Sequence, residues 1–457
     1  MYTAIESGLL AGLELIPIQT EVNISAGLPS FSIVGLPTNS VSESRIRVKA
    51  ALKEQGYQFP SRRVVVNLAP ADIKKDTALF DLPIALGVVC AQQRQLAHKL
   101  SGVLCFGELS LDGQLYPNHL TLPLTLAAKK AGYREIFMNA IDAPYAALID
   151  GIKVRGFSSI GEIIGHLTGC QPQPVSSASP LDPKRVSDLD FSQVAGLKHA
   201  KRAMCIAAIG RHNVRLSGPP GCGKSMLGTR LHTILPDLST EQALELASME
   251  AQRSRRGSTF QLNVVAPSRC PHYSITTPGL IGGGANPRPG EISLAHHGVL
   301  FLDEFLEFRR QQLEALRTPI EEGCVRLSRC DHLASYPAKF MLVAAHNPCP
   351  CGYYGTEAAV CQCTSRELRA YQGKLSGPLN DRFDLHIPVQ QPSGYLGVER
   401  SDTRETSTQM RLKVTEARCF HESDAVRRGR QLNSSAVKLL NRIGAIGTYS
   451  FRRRARL

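Results

Sequence analysis

The chain has 457 residues, enough for two to four domains, each with an ample core. Hydrophobic residues at 43% and charged residues at 20% exclude a disordered chain. The longest uncharged apolar run, Leu82 to Ala91, is too short to span a bilayer, and Met1 to Glu6 has no basic-then-apolar leader, so neither a membrane span nor secretion is expected. Thirteen cysteines in a long chain without a leader fit reduced thiols and a cytoplasmic location. The net charge of +14 suits a polyanionic partner, with nucleic acid the natural candidate; basic solvation alone would give the same balance.

In chain order, Ser44 to Gln55 reads as a basic amphipathic helix, Val64 to Leu68 as a strand and Asp81 to Leu96 as a largely apolar helix. Residues 170–185 are rich in Pro and Ser and lack periodicity, which marks a linker. Residues 198–209 form an amphipathic helix leading to a strand at Asn213 to Leu216. Next comes Gly218-Pro219-Pro220-Gly221-Cys222-Gly223-Lys224-Ser225, the G-x-x-x-x-G-K-S phosphate-binding loop. Its glycines let backbone N–H groups face phosphates, Lys224 reaches the β- and γ-phosphates, and the Ser225 hydroxyl ligates Mg²⁺. Backbone amides do the binding, so the Cys222 side chain is expected to be incidental. Met226 to Leu231 continues as a helix, which sets the loop at a helix N-terminus.

Gly282 to Asn286 reads as a flexible glycine-rich loop. Val299-Leu300-Phe301-Leu302 is an apolar strand that ends in Asp303 and Glu304, the pattern of a buried central parallel strand. Asp303 is expected to hold Mg²⁺ and Glu304 to orient the water that attacks the γ-phosphate. Phe340 to Ala345 is a third strand running into His346-Asn347. Asn347 could bond the γ-phosphate or the attacking water, although an ordinary strand-end turn accounts for it equally well on spacing alone. Cys349-x-Cys351 and Cys361-x-Cys363 offer four thiolates for a tetrahedral Zn²⁺, with free thiols as the alternative. Arg382, in Gly377 to Asp384, can serve as an arginine finger on ATP bound by an adjacent subunit; taken alone it also reads as an ordinary surface Arg.

The order of these motifs resembles an AAA+ ATPase of the branch containing magnesium-chelatase ATPase subunits, and more closely the ComM/YifB family. Pro287 to Gly298, Leu313 to Arg317, His346 to Gly352, Val34 to Pro37 and Val66 to Asp72 carry the match. The first part also resembles the Lon proteolytic domain, through Asp72 to Asp76 and Gly107 to Leu115. Lys75 to Phe80 contains no serine where Lon places its nucleophile, and residues 117–128 contain no lysine, so protease chemistry is not expected. Ser44 and Ser110 read as ordinary surface or turn residues.

The resemblance implies an α/β fold class: an AAA+ P-loop core with a parallel sheet at 186–392, carrying a cysteine-rich insertion at 349–363. A Lon-protease-like α+β domain at 1–169 precedes it, beyond the linker 170–185. A helical C-terminal lid at 393–457 is expected to follow, incomplete because truncated or divergent, since the helical pattern of Ser434 to Ile443 is broken by Gly444 and Gly447. From that ending, poor hydrolysis and loose assembly are expected. Asp190 to Leu197 resembles the segment that contacts adenine. The resemblance further implies ATP and Mg²⁺ as cofactors, a hexamer, single-stranded and branched DNA as partner, and branch migration during natural transformation and homologous recombination. A magnesium-chelatase-type motor subunit is the alternative.

Overall fold

A computed structural model describes residues 1–178, 188–254, 262–284, 287–329, 332–355, 359–390 and 405–422. The chain opens with a long hairpin, β1 (Tyr2–Ala11) paired antiparallel with β2 (Glu14–Ser25). β3 (Ser30–Val34) lies parallel to β4 (Arg63–Ala69), which pairs antiparallel with β2, so the sheet order is β1-β2-β4-β3. In β4 the apolar residues Val64, Val66 and Leu68 are buried and alternate with more exposed neighbours, the period-2 signature of a sheet covered on one face. The cover is the helix Asp81–Gln92, buried from Asp81 to Ala91. A Cβ on its Gly87 would lie 2.5 Å from Val22 Cγ2, so only glycine permits this approach. The helix stops at Gln92, short of the expected Leu96, where side chains emerge from the core. A second, parallel sheet joins β5 (Val103–Cys105), β6 (Glu135–Asn139) and β7 (Lys153–Phe157).

From residue 188 onward, the strands in chain order are β8 (Val214–Ser217), β9 (Ser268–Arg269), β10 (Gly282–Gly283), β11 (Arg288–Pro289) and β12 (Val299–Leu302). They continue as β13 (Cys324–Arg329), β14 (His332–Pro337), β15 (Met341–His346) and β16 (Leu385–Pro388). Five of them make an all-parallel sheet in the order β16-β8-β15-β12-β9. β12 and β15 are buried at every position, as expected of central parallel strands with both faces covered. β13 and β14 form an antiparallel hairpin inserted before β15.

Two expectations are corrected. Gly282 and Gly283 pair with Pro289 and Arg288, so this stretch is hydrogen-bonded strand and not free loop; Ala285 and Asn286 lie outside the described residues. Ser44 is fully buried, its hydroxyl accepting from Arg47 Nη2 at 3.2 Å, because Arg47 is drawn inward by the buried carboxylate of Asp81. Ser110 does sit in a turn, as expected, bonded to Asp112 and Gln114. The Cys222 side chain is buried within the phosphate loop, its Sγ 3.8 Å from Lys224 Nζ. Of the expected linker 170–185, Gln171 and Ser176 donate backbone N–H groups to Gly165 O and Val154 O, so its first part is tied to the preceding sheet and helix; residues 179–185 and the tail from 423, including Ser434 to Ile443, lie outside the described residues.

The helix Ser407–Glu422 is docked. Its Ser407 hydroxyl bonds Thr233 Oγ1 at 2.7 Å and accepts from Phe191 N at 2.9 Å, while Arg418 Nε donates to Ala208 O at 3.0 Å. The two halves of the chain meet where the β1–β2 turn touches β14: Gly12 bridges Ser335, and Gln252 Nε2 donates to Gly12 O at 2.8 Å. Tyr336 seals this contact from within the core, its hydroxyl 2.8 Å from both Gln252 Oε1 and Pro287 O.

Candidate nucleotide site

The strand order decides the site. β8, β15 and β12 are neighbours and parallel, so their C-terminal ends bring residues 218–225, 347 and 303–304 to one edge of the sheet. Three glycines shape the loop after β8. A Cβ on Gly218 would lie 2.1 Å from Val389 O and 2.9 Å from Cys222 Sγ, while Gly221 and Gly223 have φ of 74° and 93°. The helix Lys224–Arg230 starts at the end of this loop, so its unpaired N–H groups face the space the loop encloses.

Lys224 is buried. Its Nζ donates to Gly218 O and Pro219 O at 2.8 Å each and to Asn347 Oδ1 at 3.1 Å. Burial pulls the pKa of this ammonium down, opposed by Cys222 and Asp303. Ser225 Oγ lies 2.5 Å from Asp303 Oδ2, which places a hydroxyl and a carboxylate side by side, the oxygen donor set that suits Mg²⁺. Glu304 follows in a left-handed conformation, φ 49°, with its N–H bonded to Asp303 Oδ1 at 2.9 Å. That turn takes the chain off the strand at once and leaves the Glu304 side chain exposed beside the cluster.

Asp190 caps the turn Phe191–Gln193 and also accepts from Ser407 N at 3.1 Å. Arg230, at the end of the phosphate-loop helix, donates to Asp190 O at 3.0 Å and to Gln193 Oε1 at 2.5 Å. The segment resembling an adenine contact is thereby tied to the phosphate loop.

Arg382 is the one expected catalytic residue that lies away from this edge. Its carbonyl accepts from Asn213 Nδ2 at 3.0 Å, at the start of β8, whereas the phosphate loop follows the end of that strand. Its guanidinium is ion-paired with Glu321 and also reaches Pro378 O.

The four cysteines do converge. Cys349 Sγ is 3.3 Å from Cys351 Sγ and 3.8 Å from Cys361 Sγ, Cys351 and Cys361 are 3.6 Å apart, and all four sulfurs lie within 4.8 Å of one another. A tetrahedral zinc with bonds of about 2.3 Å sets its sulfurs about 3.8 Å apart, so the donor set fits. The Tyr354 N–H donates to Cys349 Sγ at 3.2 Å, and the Tyr353 backbone, with Cys349 next in weight, holds the Cys351 thiol down to about 6.

Sequence reasoning missed a second cluster, Glu245 with His296 and His297. The Lys339 N–H donates to His296 Nδ1 at 2.9 Å, so Nε2 carries the proton and donates to Glu245 Oε2 at 3.2 Å. His296 therefore has no lone pair to offer a cation and acts as a post between Glu245 and the Lys339 backbone. Tyr371 and Ser407 were also missed; both act through contacts distant in sequence, which no local motif announces.

A parallel sheet in which the first strand's neighbours are the fifth and the fourth, with a phosphate loop after the first strand and an acid pair after the third, defines a P-loop ATPase of the AAA+ class. Within it, this chain belongs to the ComM/YifB family of magnesium-chelatase-like ATPases. It is 39% identical over 444 residues to the competence protein ComM of Haemophilus influenzae, covering 96% of this chain and 85% of that one. It is also 39% identical over 411 residues to the uncharacterized protein YifB of Escherichia coli, covering 89% of this chain and 79% of YifB. Residues 190–395 match the family described as magnesium chelatase, subunit ChlI, and residues 20–141 the family described as subunit ChlI of Mg-chelatase. The magnesium-chelatase 38 kDa subunit of Cereibacter sphaeroides is 23% identical over 218 residues, 44% of this chain and 59% of that one. Among the described residues no helix is long and apolar enough to cross a membrane.

Proposed function

We propose that the chain is an ATP-driven DNA motor, a hexameric branch-migration helicase that helps single-stranded DNA integrate during natural transformation and homologous recombination. The observation that carries the ATPase half is the meeting of Lys224, Ser225, Asp303 and Asn347 at one sheet edge, with Glu304 exposed beside them. In this reading Lys224 binds a phosphate charge, Ser225 and Asp303 hold Mg²⁺, Glu304 orients and polarises water, and Asn347 positions Lys224 and the water. Bound Mg²⁺ supplies neutralisation of phosphate charge. Arg382 completes the site of a neighbouring subunit, which agrees with its place at the opposite end of the strands from its own loop.

The DNA half rests on the net charge of +14 and on the relative named as a competence protein. The proposed division is 1–169, 170–185, 186–392 and 393–457. Zn²⁺ on Cys349, Cys351, Cys361 and Cys363 is part of this reading, and about one zinc per chain is expected by metal analysis of protein purified without a chelating tag.

An ATPase assay with no DNA and with single-stranded, duplex and forked DNA tests the reading. Stimulation, largest on forked DNA, is expected. A rate indifferent to all DNA, together with Mg²⁺ insertion into a porphyrin when chelatase partner subunits are added, would favour the chelatase motor that the Cereibacter relative suggests.

A further inference from the structure

We propose that the cysteine knuckle is a positioning element of the nucleotide site: metal bound there holds Asn347 and the Pro220 side of the phosphate loop in place, so that losing the metal weakens ATP binding. This rests on the zinc reading above.

Three contacts converge on the exit of β15. Along the chain, Asn347 and the buried Cys349 are separated only by Pro348, so a sulfur fixed in a metal shell fixes the end of the strand that presents Asn347 to Lys224. Against the loop, Gly352 sits within the knuckle at φ 88°, directly on Pro220. A Cβ there would lie 2.6 Å from Pro220 Cδ and 2.8 Å from Pro220 Cγ.

From the other side, the second cysteine pair leads at once into the helix Ser365–Gln372, whose first turn is closed by a Thr364–Glu367 capping box. This helix returns the buried Tyr371 to the Asn347 backbone and Gln372 Nε2 to Pro348 O at 3.5 Å, and just past it Lys374 reaches Glu307 at 3.3 Å. The loop-side and helix-side clamps on Asn347 are joined to each other through the four thiols. The described residues of the span Cys349 to Cys363 form no helix or strand, so bound metal would add the cross-links that regular structure does not supply there.

The test uses the full chain. Zinc is measured by atomic emission, removed with a zinc-selective chelator, and the protein is desalted before titration with a fluorescent ATP analogue and Mg²⁺; far-UV circular dichroism confirms that the fold persists. Zinc-depleted protein should bind the analogue at least tenfold more weakly, and one equivalent of Zn²⁺ should restore the affinity. Unchanged affinity in protein that has demonstrably lost its zinc overturns the positioning role while leaving the zinc reading intact. Protein that contains no zinc as isolated and takes up none overturns both, and the metal assay alone reports it.

Gly352→Ala tests the packing route separately. It should keep one zinc per chain and raise the KM for ATP several-fold more than it lowers kcat. An unchanged KM with zinc retained would show that the Pro220 contact transmits nothing.

Discussion

Lys224 and Glu304 differ in what they touch, and the difference is measurable. Lys224 is buried among oxygen acceptors at the loop, so Lys224→Ala removes the positive charge that a phosphate needs, and nucleotide binding should fall below detection in a filter or fluorescence assay. Glu304 is exposed and contributes nothing to the loop itself, so Glu304→Gln should leave nucleotide affinity near wild type while turnover falls by about 10²–10⁴-fold, the usual range for general acid–base groups. Equal loss of binding in both variants would remove the roles assigned to them.

His346, at the end of β15, adds a pH dependence. Burial pushes its pKa from 6.5 down to about 4, opposed by the bond from Nδ1 to Asn347 O. The unfolded chain takes up this proton near 6.5 and the folded chain only near 4, so stability present above that window is lost as pH falls through it, by about 3 kcal/mol at most. Urea midpoints recorded between those pH values should fall more steeply in the wild type than in His346→Gln. Parallel slopes would assign the acid sensitivity to other groups.

At the scale of elements, the phosphate-loop helix is seated on β12 by a glycine. A Cβ on Gly228 would lie 2.3 Å from Phe301 Cε2, and Phe301 is fully buried in a strand covered on both faces. Gly228→Ala should therefore destabilise the protein by about 1–3 kcal/mol, as overpacking does, and should weaken nucleotide binding because helix and loop move together. Adding Phe301→Leu should recover part of both losses; additive losses in thermal melts would place the strain elsewhere. The docked helix Ser407–Glu422 belongs to the same scale. Ser407 holds the Asp190–Phe191 turn and Thr233 together, so this helix stiffens the segment beside the nucleotide edge from a position distant in sequence.

At the scale of the whole molecule, the role proposed for Arg382 requires assembly. It stands at the start of β8, across the sheet from its own phosphate loop, and its guanidinium is paired with Glu321. Arg382→Ala should abolish hydrolysis while each chain still binds ATP. Mixing it with Glu304→Gln creates interfaces in which both halves are wild type, so activity should reappear at intermediate ratios. No activity at any ratio would argue against action between subunits. The contact of Gly12 with Ser335, backed by Gln252 and Tyr336, makes the first sheet a fixed neighbour of the β13–β14 hairpin.

The phosphate loop, the apolar strand ending in Asp303 and Glu304, and the strand ending at Asn347 were legible because each rests on local chemistry: glycines that free the backbone, a run apolar enough for burial on both faces, and polar groups at the strand exit. The pairing of cysteines was legible for the same reason, since spacing along the chain limits where their sulfurs can go. The order of strands was not, because it is set by packing between segments more than a hundred residues apart. Only that order placed Ser225 against Asp303 and Lys224 against Asn347, and moved Arg382 to the far end of β8. Burial was decided in the same way. Ser44 went inside because Arg47 follows the buried Asp81, and Gly352 lies on Pro220 because the knuckle closes back over the loop. Sequence by itself determined which groups carry the chemistry, since that depends on residue type and local backbone. Tertiary structure decided which of them meet, since that depends on long-range packing that no local pattern encodes.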